Sequence, residues 1–104
     1  MTNVARFPTP MFATRFEEIV KDRSRFSHEV VMTDHIRVRM EERNITIRQV
    51  INVLRKGAVV SEPSWNPTYR SYEAKMAYSG AGMHIEVVCA IEEGSVQVVA
   101  ITTY

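Results

Sequence analysis

Three basic side chains spaced four residues apart are the first candidates for chemistry: His35, Arg39 and Arg43. In a helix, at about 100° per residue, His35 and Arg39 share one face, while Arg43 drifts toward the side of Ile36 and Met40. An imidazole can move protons near neutral pH, and a planar guanidinium binds phosphate through two parallel hydrogen bonds. These groups together could cleave a phosphodiester.

The same spacing also fits an ordinary solvated helix face. In that interpretation Arg39 and Arg43 pair with Glu41 or Glu42, and His35 lies beside the helix N-terminus. On residue types and spacing alone, this structural interpretation is the more common one.

Further candidates lie in the second half of the chain. Lys75 occupies an alternating segment and either reaches a substrate from an open sheet face or keeps that face hydrated. Arg70 and Tyr72 follow a proline-bounded loop, where an aromatic ring beside arginine can stack nucleobases. The simpler interpretation is that the loop packs its own aromatic side chains over the sheet edge. His84 alternates with Ile85, so we expect it to point away from the core.

Composition and missing motifs narrow the function classes. The sequence contains no P-loop, dinucleotide-binding glycine motif, CxxC pair or HExxH, and its three histidines lack metal-ligand spacing. We therefore expect neither a metal nor a cofactor. The net charge is only +1, although residues 1–57 are basic and residues 58–104 acidic. The single cysteine, Cys89, lies in an apolar run and is predicted to be a buried reduced thiol.

The chain shows no membrane or secretion signal. No apolar run approaches the roughly 20 residues that a membrane-spanning helix needs. The N-terminal MTNVARFPTP lacks an apolar signal segment. The sequence thus predicts a cytoplasmic location without membrane contact.

Helices come first in the predicted order of elements. Thr9 and Pro10 are predicted to open a first helix as N-cap and N1. A second helix is predicted over Asp34–Arg43, capped by Thr33 or Asp34. A third helix has the strongest signals, with capping-box residues Thr46 and Gln49 at its start and the stop residue Gly57 at its end.

After residue 57 the apolar period changes to two. Long alternating segments are separated by tight turns at residues 80–82 and 93–94, which is typical of an antiparallel meander. Residues 28–32 are short and β-branched, which predicts an edge strand or an extended lead-in to the second helix. The fold class is therefore α+β, with N-terminal helices packed on one face of a roughly four-stranded antiparallel meander sheet.

Residues 28–104 resemble a bacterial family catalogued as a domain of unknown function. Three segments carry this resemblance: VMTDHIRVRMEERNITIRQVINVLRKGAVVSE, WNPTYRSYEAKM and IEVVCAIEEGSVQVVAITTY. The family pattern is T-x-H-x-x-x-R-x-x-x-R-x-I, a following helix that ends in glycine, and a C-terminal V-I-T-x-Y. The resemblance separates residues 1–27, an N-terminal helical extension, from the domain at 28–104.

The family is similar in element order to small toxins of toxin–antitoxin modules, the RelE, MqsR and BrnT group. The resemblance thus implies a RelE-like fold and a metal-independent endoribonuclease toxin, held inactive by a cognate antitoxin of the MqsA type. It implies His35 as acid or base, phosphate binding by Arg39 and Arg43, an auxiliary cation at Lys75, and stacking or acid catalysis by Tyr104. The expected RNA contacts are Arg39, Arg43, Arg70 and Tyr72.

The leading alternative is a non-catalytic module that binds protein or RNA. It predicts that His35 has a structural partner and that ion pairs with Glu41, Glu42 or Glu73 neutralise the arginines of the helix. An open basic cleft would instead favour the nuclease. A homodimer that forms by edge-strand pairing is a third possibility.

Overall fold

The computed structural model describes residue 7 and residues 10–104. In this part of the chain the helices are α1 (Ala13–Arg23), α2 (Asp34–Arg43) and α3 (Ile47–Lys56). The strands are β1 (Val30–Met32), β2 (Ala58–Val59), β3 (Ser64–Asn66), β4 (Ser71–Gly80), β5 (Met83–Glu92) and β6 (Val98–Thr103). No helix in the described part is long and apolar enough to cross a membrane.

The strands form one sheet in the order β1-β6-β5-β4-β2, and β3 also pairs with β4. Strands β4, β5 and β6 form the predicted antiparallel meander, whereas β1 lies parallel to β6 at one edge. The predicted α+β class is confirmed. The sheet has six strands rather than about four, and of the two short strands paired with β4, β2 lies in a segment that alternates as a strand should, whereas β3 lies in the segment predicted as a loop.

The loop predicted between Pro63 and Pro67 contains β3. Trp65 pairs with Tyr72 of β4, and the two prolines bound the strand instead of interrupting it. A three-residue edge strand needs few ladder hydrogen bonds, so prolines at its ends are tolerated.

All three helices bury their apolar residues against one face of the sheet. Among the helical core residues are Phe16, Val20, Ile36, Met40, Val50 and Leu54. The strands β4 and β5 contribute Tyr72, Ala74, Met76, Tyr78, Ile85, Val87, Cys89 and Ile91 to the same cluster. We call the opposite side of the sheet the outer face; Lys75 and Ser79 of β4 and His84 and Glu86 of β5 lie on it. Cys89 is a buried free thiol, as predicted.

The ends of the helices test the predicted caps. Helix α1 begins at Ala13 with Phe12 as N-cap, so the predicted start at Pro10 is wrong. Thr9 lies outside the described residues. Thr33 caps α2, and Thr46 forms the predicted capping box at the start of α3.

Gly57 ends α3 as predicted, but for a different physical reason. Its φ of −78° is open to any residue, so no left-handed conformation requires glycine there. A Cβ at this position would lie 2.5 Å from the carbonyl oxygen of Val53 and 2.6 Å from that of Ala77. Glycine is required because the end of α3 approaches β4 this closely.

A β-bulge in β6 changes which side chains face the core. Val88 pairs with Thr102 but Cys89 pairs with Ala100, so Ile101 is one extra residue on β6. Such an insertion reverses the alternation of side chains beyond it. The core-facing residue after the bulge is therefore Thr103, and the next residue turns to the outer face.

Candidate functional site

Thr33 fixes α2 to the bulged strand. Its hydroxyl accepts a hydrogen bond from the N–H of Ile36 at 3.1 Å and donates one to the carbonyl of Ile101 at 2.9 Å. One side chain thus satisfies a free N–H at the helix start and the carbonyl of the bulge residue. Helix α2 is held against β6 by this link and by the burial of Ile36 and Met40.

Tyr104 is held on the outer face, immediately after β6. Its N–H donates to the carbonyl of Glu86 at 2.9 Å, and its carbonyl accepts from the N–H of Glu86 at 3.2 Å. The buried Thr103 hydroxyl donates to the same Glu86 carbonyl at 2.8 Å. These bonds fix the position from which the Tyr104 ring leaves the sheet.

Two cations lie over the ring of Tyr104. The guanidinium carbon of Arg39, from α2, is 5.6 Å from the ring centroid, and the ammonium of Lys75, from β4, is 5.1 Å from it. Both distances are within the range of cation–π attraction, which contributes about 0.5–1 kcal/mol at exposed sites. Three elements distant in sequence therefore bring one aromatic ring and two positive charges together.

Glu86 extends this group along β5. One carboxylate oxygen lies 3.4 Å from Lys75 Nζ, and the other lies 3.0 Å from His84 Nε2. The second ring nitrogen of His84, Nδ1, is 2.7 Å from the hydroxyl oxygen of Ser79. We call these six residues the Tyr104 cluster: Arg39, Lys75, Ser79, His84, Glu86 and Tyr104.

The pKa of Glu86 is lowered, chiefly by the hydrogen bond from His84. Desolvation is the next largest influence and acts in the opposite direction, while the hydrogen bond and charge of Lys75 lower the pKa further. Glu86 is therefore a carboxylate at neutral pH. A carboxylate can only accept hydrogen bonds, which constrains the proton positions on His84.

The other predicted site residues differ in their placement. His35 is exposed in the first turn of α2, one turn before Arg39 on the same side of the helix, and within the described part of the chain its ring makes no hydrogen bond or ion pair. Arg43 is exposed in the last turn of α2. Arg39 also lies 3.6 Å from Glu42.

The structure does not bring Arg70 and Tyr72 to the cluster. Tyr72 packs on the core side of β4, with its ring 5.0 Å from that of Trp65. Arg70 forms an exposed ion pair with Glu93 at 2.6 Å. The packing of loop aromatics over the sheet edge, the simpler of the two interpretations, describes this region.

A separate cavity lies away from the Tyr104 cluster. It measures about 550 Å³ and lies between α1, the 3-10 turn Ser27–Glu29 and the loop before β6. The acidic and basic side chains along it pair with each other, as in Arg15–Glu18 and Arg25–Asp22. The Tyr104 cluster is instead a surface site, a shape that suits an extended ligand better than a small enclosed one.

No group of three or more His, Cys, Asp or Glu residues is arranged to hold a metal ion in the part of the chain that the structure describes.

The sequence model of a protein family described as "Domain of unknown function (DUF4258)" matches residues 32–104. The chain belongs to this family. The match includes α2, α3 and every residue of the Tyr104 cluster, and it begins after α1. No curated protein and no solved structure matches the chain.

Sequence reasoning missed three members of the cluster. Glu86 and Ser79 carried no motif, and His84 was expected only to face away from the core. A signal was available in the alternation of β5, which puts His84 and Glu86 on one side of the strand. The pairing of Ser79 with His84 depends on the register across the turn at residues 81–82.

Proposed function

We propose that the outer face beside α2 binds single-stranded RNA and cleaves it without a metal ion, as the toxin of a toxin–antitoxin module does. The observation that supports this proposal most is the approach of Arg39 and Lys75 to the exposed ring of Tyr104. A stacking surface next to two cations is the combination that single-stranded nucleic acids require.

The two kinds of group have separate tasks in this proposal. A nucleobase stacks on Tyr104, a contact that contributes about 1–3 kcal/mol per base. Arg39 and Lys75 bind the adjoining phosphate and offset the charge that develops during cleavage. Arg43, exposed further along α2, contacts the backbone of the same RNA strand.

His35 is the proposed acid or base on the helix side. It is exposed and lies one helical turn from Arg39, so a phosphate held by Arg39 is within its reach. The cognate partner is an antitoxin of the MqsA type that covers the outer face, and the site of action is the cytoplasm.

A non-catalytic binding module is the second candidate. It is favoured by the two acidic side chains beside the cations: Glu42 lies 3.6 Å from Arg39, and Glu86 lies 3.4 Å from Lys75. Such pairs reduce the positive charge available to a phosphate. Both pairs are partly exposed, where ion pairs contribute about 0–1 kcal/mol and are readily exchanged for a ligand.

Controlled expression in bacteria tests the two candidates. The nuclease predicts growth arrest by the wild type and its loss in His35→Ala, Arg39→Gln and Lys75→Gln. Arg37→Gln on α2 and Lys56→Gln on α3 are matched controls because both residues are exposed and outside the cluster. Thermal unfolding shows whether each variant is folded.

Growth unaffected by the wild type argues against the toxin. RNA binding by the purified wild type without any cleavage supports the binding module instead.

Binding measurements on two Tyr104 variants test the proposed stacking. Tyr104→Phe retains the ring and Tyr104→Ala removes it, so the proposed stacking predicts weaker RNA binding for the alanine variant only.

A further inference from the structure

A hydrogen-bonded row of side chains lies on the outer face where β4 turns into β5. Ser79 and His84 are opposite each other across the hairpin, and Glu86 follows His84 on the same side of β5. His84 contacts Ser79 through Nδ1 at 2.7 Å and Glu86 through Nε2 at 3.0 Å. Both ring nitrogens are engaged, so the ring has a defined orientation although it is exposed.

The partner of each nitrogen determines where the protons are. The ionised Glu86 carboxylate has no proton to give, so Nε2 of His84 must donate to it. A neutral imidazole then has an unprotonated Nδ1, which accepts from the hydroxyl of Ser79. His84 thus presents a proton acceptor at Nδ1, already in contact with a hydroxyl group.

Glu86 also connects His84 to the proposed phosphate site. The same carboxylate is bonded to His84 through one oxygen and paired with Lys75 through the other. Lys75 in turn lies over Tyr104, next to Arg39. Lys75 and His84 therefore contact opposite oxygens of one carboxylate, which places the imidazole beside the proposed phosphate site.

We propose that His84 is a second catalytic histidine of the RNA-cleaving site and that Nδ1 removes the proton of the ribose 2′-hydroxyl. The inference rests on the proposed function. The 2′-oxygen bonds to phosphorus and the bond from phosphorus to the 5′-oxygen breaks. The leaving 5′-oxygen takes its electron pair and receives a proton from His35. The products are a 2′,3′-cyclic phosphate and a 5′-hydroxyl end, with the proton from the 2′-hydroxyl on His84.

Glu86 and Ser79 have positioning roles in this step. Glu86 holds the ring so that Nδ1 faces the hydroxyl of Ser79, as the carboxylate of a catalytic triad orients its histidine. Ser79 occupies the place of the substrate hydroxyl until RNA displaces it. The titratable or charged groups around His84 are Glu86 on β5, Lys75 on β4, Tyr104 after β6 and, beyond the ring, Arg39 on α2.

Single-turnover cleavage of a 5′-labelled mixed-sequence RNA by the purified full chain tests the role of His84. His84→Asn should lower the rate at saturating RNA by roughly 10²–10⁴-fold, the usual contribution of a general base. RNA affinity should remain unchanged. In the pH–rate profile, His84→Asn should lose the limb in which the rate rises with pH, and Glu86→Gln should lower the rate less. His28→Asn is the control, since His28 is exposed and pairs with Glu29 instead.

The proton position can be measured without any cleavage. Nitrogen NMR of the imidazoles at neutral pH should show His84 with its proton on Nε2, and Glu86→Gln should weaken that preference. A wild type that does not cleave RNA overturns the proposed function and the role of His84 together. Cleavage by wild type and His84→Asn at equal rates and with equal pH profiles overturns only the role of His84. A proton on Nδ1 also overturns it.

Discussion

The hydroxyl of Thr33 donates a hydrogen bond to the carbonyl of Ile101, the extra residue of the β6 bulge. The same hydroxyl caps α2 by accepting from the N–H of Ile36. One side chain therefore links the helix that carries Arg39 to the bulge that turns Tyr104 to the outer face. The geometry of the Tyr104 cluster depends on this link.

Replacement of Thr33 should lower stability. Thr33→Val keeps the size of the side chain but removes both hydrogen bonds, and a lost N-cap costs about 0.5–2 kcal/mol. Thr33→Ser retains the hydroxyl and should stay close to the wild type. Urea unfolding measures the difference. Equal midpoints for the valine and serine variants would contradict the role assigned to the hydroxyl.

Gly57→Ala should destabilise the domain by about 1–3 kcal/mol, the cost of forcing extra atoms into a packed interface. The added Cβ would collide with the carbonyls of Val53 and Ala77, so α3 must move away from β4. Thermal or urea unfolding measures the loss. Lys56→Ala, one residue earlier and exposed, is the control. An unchanged stability of Gly57→Ala would contradict the need for glycine where the end of α3 approaches β4.

The ionisation of Glu86 should make stability depend on pH. The folded-state pKa is lowered, chiefly by the bond from His84, so the unfolded chain binds the proton more readily. The stabilisation from Glu86 is present above the ordinary pKa of a glutamate and is lost as the pH falls through the lowered pKa. The difference in melting temperature between wild type and Glu86→Gln should therefore shrink on acidification. A difference in melting temperature that stays constant down to pH 3 would contradict a stabilising role for the ionised Glu86 carboxylate.

RNA affinity should depend on salt through Arg39 and Lys75. Each phosphate contact on a single strand contributes about 0.7 to the slope of log affinity against log salt concentration. Arg39→Gln and Lys75→Gln should each lower that slope by about this amount, whereas Arg37→Gln should not change it. Fluorescence anisotropy with a labelled mixed-sequence RNA measures these slopes. Identical slopes for all variants would show that RNA does not contact Arg39 or Lys75.

Much of the fold follows from local patterns in the sequence. The capping box at Thr46 and Gln49, the stop at Gly57 and the alternation along β4 each depend on residues near in sequence. The parallel pairing of β1 with β6 does not follow from local patterns, because it joins residues 30–32 to residues 98–100. The short strand β3, in the segment predicted as a loop, also depends on its pairing with β4.

The candidate site was only partly predictable, for a physical reason. Simple alternation along β6 puts Tyr104 on the same side as Val98, which is buried in the core. The bulge at Ile101 reverses that side, and no residue type in VAITTY signals it. His84 and Glu86 could be placed on one face from spacing, but their contacts with Ser79 and Lys75 required the register of β4 with β5.

The central claim is that the Tyr104 cluster cleaves RNA. Such cleavage leaves RNA with a new 5′-hydroxyl end, which can be detected directly. Sequencing of 5′-hydroxyl RNA ends from cells, before and after expression, measures that product. The wild type and Arg37→Gln should generate many new 5′-hydroxyl ends, while Arg39→Gln and Lys75→Gln, produced at the same level, should generate few. An unchanged set of RNA ends after expression of the wild type, or equal sets from all four proteins, would contradict the claim.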